Sequence, residues 1–165
     1  MAFPRLRRGH HDRGSGHPSD ILDAVSEPYP ADAKKHLEIA ARKLEEMRLR
    51  AHHPPRHFWT LSGMVEAWRE LVAHIEEGYD DIIEEYSNDL SVRDLLDELL
   101  AVIPEGSVRS WVTKEIEQAD QRYRDATREV DKPIFGSGEM AWWWKRVPIV
   151  LVGELRRDLE GTTRD

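Results

Sequence analysis

The chain has 165 residues, with 32 acidic against 24 basic side chains, no cysteine and 39% hydrophobic residues. Domains usually comprise roughly 100 to 200 residues, so a single domain is predicted. The lack of cysteine excludes disulfide bonds, thiolate nucleophiles and cysteine-ligated metal sites.

The N-terminal stretch differs in charge from the rest of the chain. Residues 1–18 contain four arginines and one aspartate, a net charge of +3, so the remaining residues must carry −11 to give the total of −8. Glycine, proline and histidine fill much of this stretch, and such a composition buries too little apolar surface to offset the entropy of ordering. The sequence therefore predicts a disordered basic tail over residues 1–18 and a single helical domain over residues 19–165.

No apolar run is long enough to span a bilayer, which needs roughly 18 residues or more. The longest run, residues 147–153, has seven residues and contains Pro148. The start of the chain also lacks the apolar run of a secretory signal. A cytoplasmic protein without membrane contact is expected, and the acidic character of the domain argues against a nucleic-acid partner.

Helical periodicity governs the first half of the domain. Apolar residues at spacings of three and four predict a first helix over residues 32–51. From Leu61 to Tyr86 the spacings alternate between four and three. This period of about 3.5 residues is typical of helix bundles. It predicts one continuous second helix over residues 61–86, with Gly78 inside it and the rest of the bundle built around it.

Three further helices are predicted after this one. A turn at residues 87–89 precedes a third helix over residues 91–103, and a fourth helix covers residues 107–130. Residues 139–160 are predicted as a C-terminal helix with a kink near Val147, because Pro148 cannot continue a regular helix. A strand at residues 149–152 is the less favoured alternative, because no partner strand is evident. The fold class is therefore all-α, an antiparallel bundle of four main helices plus a kinked C-terminal helix.

Carboxylates are concentrated around the end of the second helix. Ten of them lie between Glu76 and Glu98, against the single cation Arg93. At about 100° of rotation per residue, five of them face away from the apolar seam of the second helix, at about 100° to 240° from it: Glu76, Glu77, Asp80, Asp81 and Glu84. This placement predicts a solvated acidic face.

The same run contains a carboxylate pattern that resembles a known metal-binding motif. The pattern EExxD, followed after a loop by DxxD, resembles the carboxylate pattern of the MazG-like all-α nucleoside triphosphate pyrophosphatases. The resemblance implies a magnesium ion held between two helices and hydrolysis of nucleoside triphosphates. It assigns the metal ligands to Glu76, Glu77, Asp80, Asp94 and Asp97.

Three consecutive tryptophans form the second anomaly. On a helix the indoles of Trp142, Trp143 and Trp144 would sweep roughly 200°, so one buried face cannot accept all of them. At least one is expected to be exposed or covered by another surface, and tryptophan is enriched at the energetic centres of protein interfaces. Intramolecular burial beside the kink is the alternative. Lys145 and Arg146 can stack on these rings.

The sequence contains no nucleophile or phosphate-binding motif. A non-catalytic helical interaction or regulatory protein is therefore expected. Its acidic face and its exposed tryptophan cluster, with Trp142, Trp143, Trp144, Lys145 and Arg146, would bind an unidentified protein partner or form a homodimer. No cofactor is expected for this function. The alternatives are the magnesium-dependent pyrophosphatase and an acidic mimic of nucleic acid.

Overall fold

The computed structural model describes residues 32–51, 59–131, 133 and 140–161. The predicted basic tail lies outside the described residues. The described ranges form a helical bundle, which confirms the all-α fold class. The helices are α1 (Ala33–Arg50), α2 (Leu61–Glu77), α3 (Ile83–Val102), α4 (Ser107–Ala126) and α5 (Gly153–Gly161). None of them combines the length and the apolar composition that a bilayer crossing requires.

The central helix is α2, whose most extensive contacts are with α3 and α4. The side chains of Trp68, Val72 and Ile75 on α2 are completely buried. Its first turn is capped by Thr60, whose Oγ1 accepts a hydrogen bond from the backbone N–H of Gly63 at 2.9 Å. The predicted role of the second helix as the core of the bundle is therefore confirmed.

The predicted length of the second helix is wrong. The helix α2 ends at Glu77, and Gly78 follows with φ of 108°, a conformation that other residues rarely adopt. A Cβ atom at Gly78 would lie 3.1 Å from Val152 and 3.2 Å from Val150, so glycine also permits the close approach of the C-terminal segment. The next helix begins at Ile83, and the predicted turn at residues 87–89 lies inside it.

The fourth predicted helix and the C-terminal helix also need correction. The helix α4 gives way to β1 (Thr127–Glu129), which pairs antiparallel with β2 (Arg146–Pro148). A 3₁₀ helix, Trp142–Lys145, precedes β2. Pro148 ends β2, so the predicted interruption is present, but a strand and the shorter helix α5 replace the kinked helix. Residues 149–152, considered as a strand from the sequence, do not form one, but the preceding residues 146–148 do, with residues 127–129 as the partner strand.

The C-terminal segment completes the core. Trp143, Val147 and Leu155 are buried, and Leu159 packs against the core from α5. Tyr79, in the connection after α2, forms an isolated parallel β-bridge with Leu151. The segment is thus attached both to the end of α4 and to the connection between α2 and α3.

Candidate functional site

The three consecutive tryptophans lie in the 3₁₀ helix rather than in an α-helix. With about three residues per turn, three successive side chains point in three directions. Trp143 points into the core and is 5% exposed, whereas Trp142 and Trp144 on either side of it are half-buried. The surface assigned to a partner therefore reduces to Trp142, Trp144, Lys145 and Arg146, and Trp143 belongs to the core. Together with Arg124, these four residues are called the tryptophan corner below.

Asp94 on α3 holds two of the indoles. Its Oδ1 accepts hydrogen bonds from Nε1 of Trp143 at 2.9 Å and from Nε1 of Trp144 at 3.0 Å, and its Oδ2 lies 3.1 Å from Nε1 of Trp144. Partial burial raises the pKa of this carboxyl group, although both indole donors oppose the change. The orientation of Trp144 at the surface is therefore fixed by the protein itself.

Trp142 is held by a cation. The Cζ atom of Arg124 lies 3.8 Å from the centre of the Trp142 ring, a cation–π contact. The rings of Trp143 and Tyr123 also adjoin this indole, at 5.7 Å and 5.9 Å between centroids. The other two arginines of α4 form ion pairs, Arg109 with Glu105 and Arg122 with Glu76. Within the described part of the chain, Arg124 has no such carboxylate partner.

A buried ion pair lies beneath the tryptophan corner. Arg93 donates to both oxygens of Asp120, with Nε–Oδ1 and Nη2–Oδ2 distances of 3.0 Å. Trp68 donates its Nε1–H to Oδ1 of the same carboxylate at 3.0 Å. The guanidinium of Arg93 also lies 4.5 Å from the centre of the Trp143 ring. Three bonds to one carboxylate satisfy charges that would otherwise be costly to bury.

Two buried tyrosines connect the strands to this network. The hydroxyl of Tyr123 donates to the backbone carbonyl of Trp143 at 2.9 Å and lies 3.1 Å from the hydroxyl of Tyr86. Burial raises the pKa of both phenols.

Arg146 on β2 donates to Oγ1 of Thr127 at 2.8 Å and to the carbonyl of Thr127 at 2.7 Å. Of the predicted partner-binding residues, Arg146 is therefore also a structural contact of the β-ladder.

A groove between α3 and α4 adjoins the tryptophan corner. Its volume is about 440 Å³, which lies within the usual range of ligand pockets. Arg93 and Leu100 line it from α3, and the α4 wall consists of Thr113, Ile116, Glu117, Asp120, Gln121 and Arg124. Since Arg93 and Asp120 neutralise each other, the accessible charges are those of Glu117 and Arg124.

The structure does not bring the five predicted magnesium ligands together. Glu76 accepts a hydrogen bond from Arg122 at 2.9 Å, Asp80 lies 3.1 Å from Nε2 of His74, and Asp97 lies 3.4 Å from Nη1 of Arg93. Arg122 keeps the pKa of Glu76 below its usual value. Asp94 binds the tryptophans, and Glu77 is exposed near the end of α2. Among the described residues, no group of three or more acidic, histidine or cysteine side chains is placed to hold a metal ion.

The predicted acidic face is largely divided into local pairs. Asp81 accepts from the backbone N–H of Ile82, Asp89 accepts from the hydroxyl of Tyr79, and Glu98 binds Lys43 and Arg50. With the contacts of Glu76, Asp80, Asp94 and Asp97, seven of the ten carboxylates have a named partner. Of these partners, only those of Glu76, Asp97 and Glu98 are lysine or arginine. Ion pairs with these cations therefore offset the charge of three of the ten carboxylates.

Sequence reasoning missed the residues that support the corner. Asp120 follows the apolar positions Ile116 and Ala119 on the buried side of α4, and a carboxylate there indicates a buried partner. Arg93, the single cation of the acidic run, lies between Val92 and Leu96 and is the natural partner. Their contact links positions 27 residues apart, which no local pattern reveals.

No protein-family model matches the chain, and the searches found no match to a curated protein or to a solved structure.

Proposed function

We propose that this protein is a non-catalytic helical interaction module that binds a partner protein through the tryptophan corner and the adjoining groove. The observation that carries the proposal is the pair of half-buried indoles, Trp142 and Trp144, each held by a specific contact. The cation that holds Trp142, Arg124, also lines an open groove. The cytoplasm is proposed as the location of this binding.

The chemistry of the corner favours association. Tryptophan and arginine are the residue types most often found at the energetic centres of interfaces. Binding costs less entropy when such side chains are already fixed, and here Asp94 fixes Trp144 while Arg124 stacks on Trp142. The carboxylates Glu77, Glu84 and Glu85 add a smaller acidic surface that can contact the same partner.

The proposal is tested by affinity capture with three forms of the full chain. The wild type is compared with Trp144→Ala, which removes an indole of the corner. The matched control is Trp111→Ala, which removes a half-buried indole of α4 that does not line the groove. Trp143 is not used because it belongs to the core, and its removal would destabilise the fold. Thermal melting verifies that all three forms are folded.

The expected result is a protein that is retained by the wild type and by Trp111→Ala and is lost with Trp144→Ala. Its purified form should then bind in calorimetry at least about tenfold more weakly to Trp144→Ala, as expected for a central interface residue. Equal capture by all three forms would contradict the proposal. Sedimentation of the unliganded chain separately measures whether the partner is a second copy.

A further inference from the structure

We infer that the partner supplies an acidic segment, whose carboxylate binds Arg124 and whose apolar side chain enters the groove between Leu100 and Ile116. This inference rests on the proposed function, since it states the chemistry of the partner for the same site. It depends on three features of the groove. These are the position of Arg124, the mutual neutralisation of Arg93 and Asp120, and the distance along α4 from Ile116 to Arg124.

The guanidinium group of Arg124 is already oriented for binding a carboxylate. Stacking on Trp142 at 3.8 Å restricts the guanidinium, and within the described ranges no carboxylate neutralises it. A planar guanidinium binds a carboxylate through two parallel hydrogen bonds. An exposed and stacked cation at the edge of a groove is locally complementary to a carboxylate of the partner.

The second arginine of the groove does not compete for the same carboxylate. Arg93 is 6% exposed, and both oxygens of Asp120 already bind it. The remaining accessible charge is Glu117, seven residues before Arg124 on α4, which corresponds to about 10 Å along the helix. Glu117 repels an acidic group in the middle of the groove, so the carboxylate of the partner is directed to the end beside Trp142.

The spacing of the two contacts defines a short motif. Ile116 precedes Arg124 by eight residues, which is about 12 Å along α4. An extended peptide covers this distance in about four residues, and side chains four apart point to the same side. The expected segment therefore carries a leucine or isoleucine and, four residues away, a glutamate or aspartate.

The experiment uses two blocked pentapeptides, Leu-Ser-Ala-Ser-Glu and its isosteric control Leu-Ser-Ala-Ser-Gln. Each is titrated into the ¹⁵N-labelled full chain up to about 10 mM, because so small a ligand is expected to bind in the millimolar range. The indole Nε1–H signals of Trp142 and Trp144 are followed. The variants are Arg124→Gln and the matched control Arg128→Gln, which removes an exposed arginine of β1 that does not line the groove.

The glutamate peptide should shift the Trp142 signal and bind at least about fivefold more tightly than the glutamine peptide, because an ionised acceptor roughly doubles the strength of a hydrogen bond. Arg124→Gln should remove this difference, Arg128→Gln should keep it, and added salt should reduce it. Equal affinities for the two peptides in the wild type, or no shift with either, would overturn the inference. So would self-association that depends on Arg124, because a second copy would then be the occupant.

The two proposals fail in different ways. If captured proteins depend on Trp144 but the peptides do not bind, only the acidic segment is refuted. If the glutamate peptide binds through Arg124 but no protein depends on the corner, the groove binds carboxylates and the interaction module is refuted.

Discussion

At the scale of single residues, Asp120 connects the core to the candidate site. Its carboxylate is 5% exposed and accepts three hydrogen bonds, from Trp68 and from two nitrogens of Arg93. Arg93 in turn lies beneath the ring of Trp143. A change at Asp120 therefore affects both the interior of the bundle and the packing of Trp143 beneath the tryptophan corner.

Replacing Asp120 with alanine should lower the free energy of unfolding by about 3–5 kcal/mol, because it leaves the guanidinium of Arg93 buried without its counter-charge. Urea denaturation followed by circular dichroism measures the change. The control is Asp125→Asn, an exposed position on the same helix, which should alter the stability by less than about 0.5 kcal/mol. A loss below about 1 kcal/mol in Asp120→Ala would show that the ion pair is not the main support.

Asp89 gives the fold a dependence on pH. Burial raises the pKa of its carboxyl group from 3.8 to about 6, although Tyr79 donates to it at 2.8 Å. A raised pKa of an acid means that the folded state binds the proton more tightly than the unfolded state. Its favourable contribution is therefore present at low pH and is lost as the pH rises through about 6.

Asp89→Asn should consequently stabilise the protein at pH 8 by up to about 3 kcal/mol and change it much less at pH 4. The asparagine amide oxygen can still accept the hydrogen bond of Tyr79, so the packing is retained. Unfolding free energies at both pH values test this expectation. The same pH dependence in the variant and the wild type would refute the assignment to Asp89.

Among the elements, the apolar seam of residues 61–86 predicted the buried positions better than the course of the backbone, because seven of its eight apolar residues are buried and only Ile82 is half-buried. Ile75, Tyr79 and Tyr86 are all buried, yet they lie in α2, in the connection and in α3. The periodicity of apolar residues indicates which side chains are buried. It does not show that the helix is continuous, because a short linker between two helices can continue the same spacing. Gly78 was the local signal of the break, and its significance depends on the approach of Val150 and Val152.

Gly78→Ala should therefore be costly, whereas an alanine in a continuous helix would stabilise by about 1 kcal/mol. Strain at φ of 108° and the crowding by Val150 and Val152 should together lower the free energy of unfolding by about 2–3 kcal/mol. Adding Gly78→Ala to a Val150→Ala, Val152→Ala background separates the two causes, because the smaller side chains relieve the crowding and leave the strain. A stabilised single variant would contradict the observed end of α2.

The two short strands were also not predicted from the sequence, and the reason is their length. The strands β1 and β2 have three residues each, too few for an alternating pattern to be recognised. Their pairing joins residues 127–129 to 146–148, and the anchoring of Arg146 on Thr127 is a tertiary contact. The half-buried indoles of the candidate site were foreseeable from three consecutive tryptophans, but their attachment to Asp94 and Arg124 was not.

Across the bundle, the carboxylates predicted as magnesium ligands are distributed over separate contacts. Glu76, Asp80, Asp94 and Asp97 each contact a different partner. A magnesium ion binds several oxygen ligands in a nearly octahedral arrangement. To form such a site, the chain would have to break several of these contacts at once.

Magnesium at about 10 mM should therefore leave the melting temperature unchanged, since a ligand that does not bind the folded state selectively gives no stabilisation. Sodium chloride at matched ionic strength controls for charge screening. A rise in melting temperature that Asp94→Asn abolishes would instead support the pyrophosphatase alternative.

The way in which the C-terminal segment closes the bundle also has a consequence during synthesis. When synthesis has reached the end of α4, four helices are complete. The core between them still lacks the buried side chains of Trp143, Val147 and Leu155, which follow later in the chain. The backbone N–H of Ile83 also lacks its acceptor at this stage, because in the complete fold it donates to the carboxylate of Asp158 at 3.1 Å. Nascent chains interrupted before this point would display an unfinished apolar interior, and chaperones and proteases act on such surfaces.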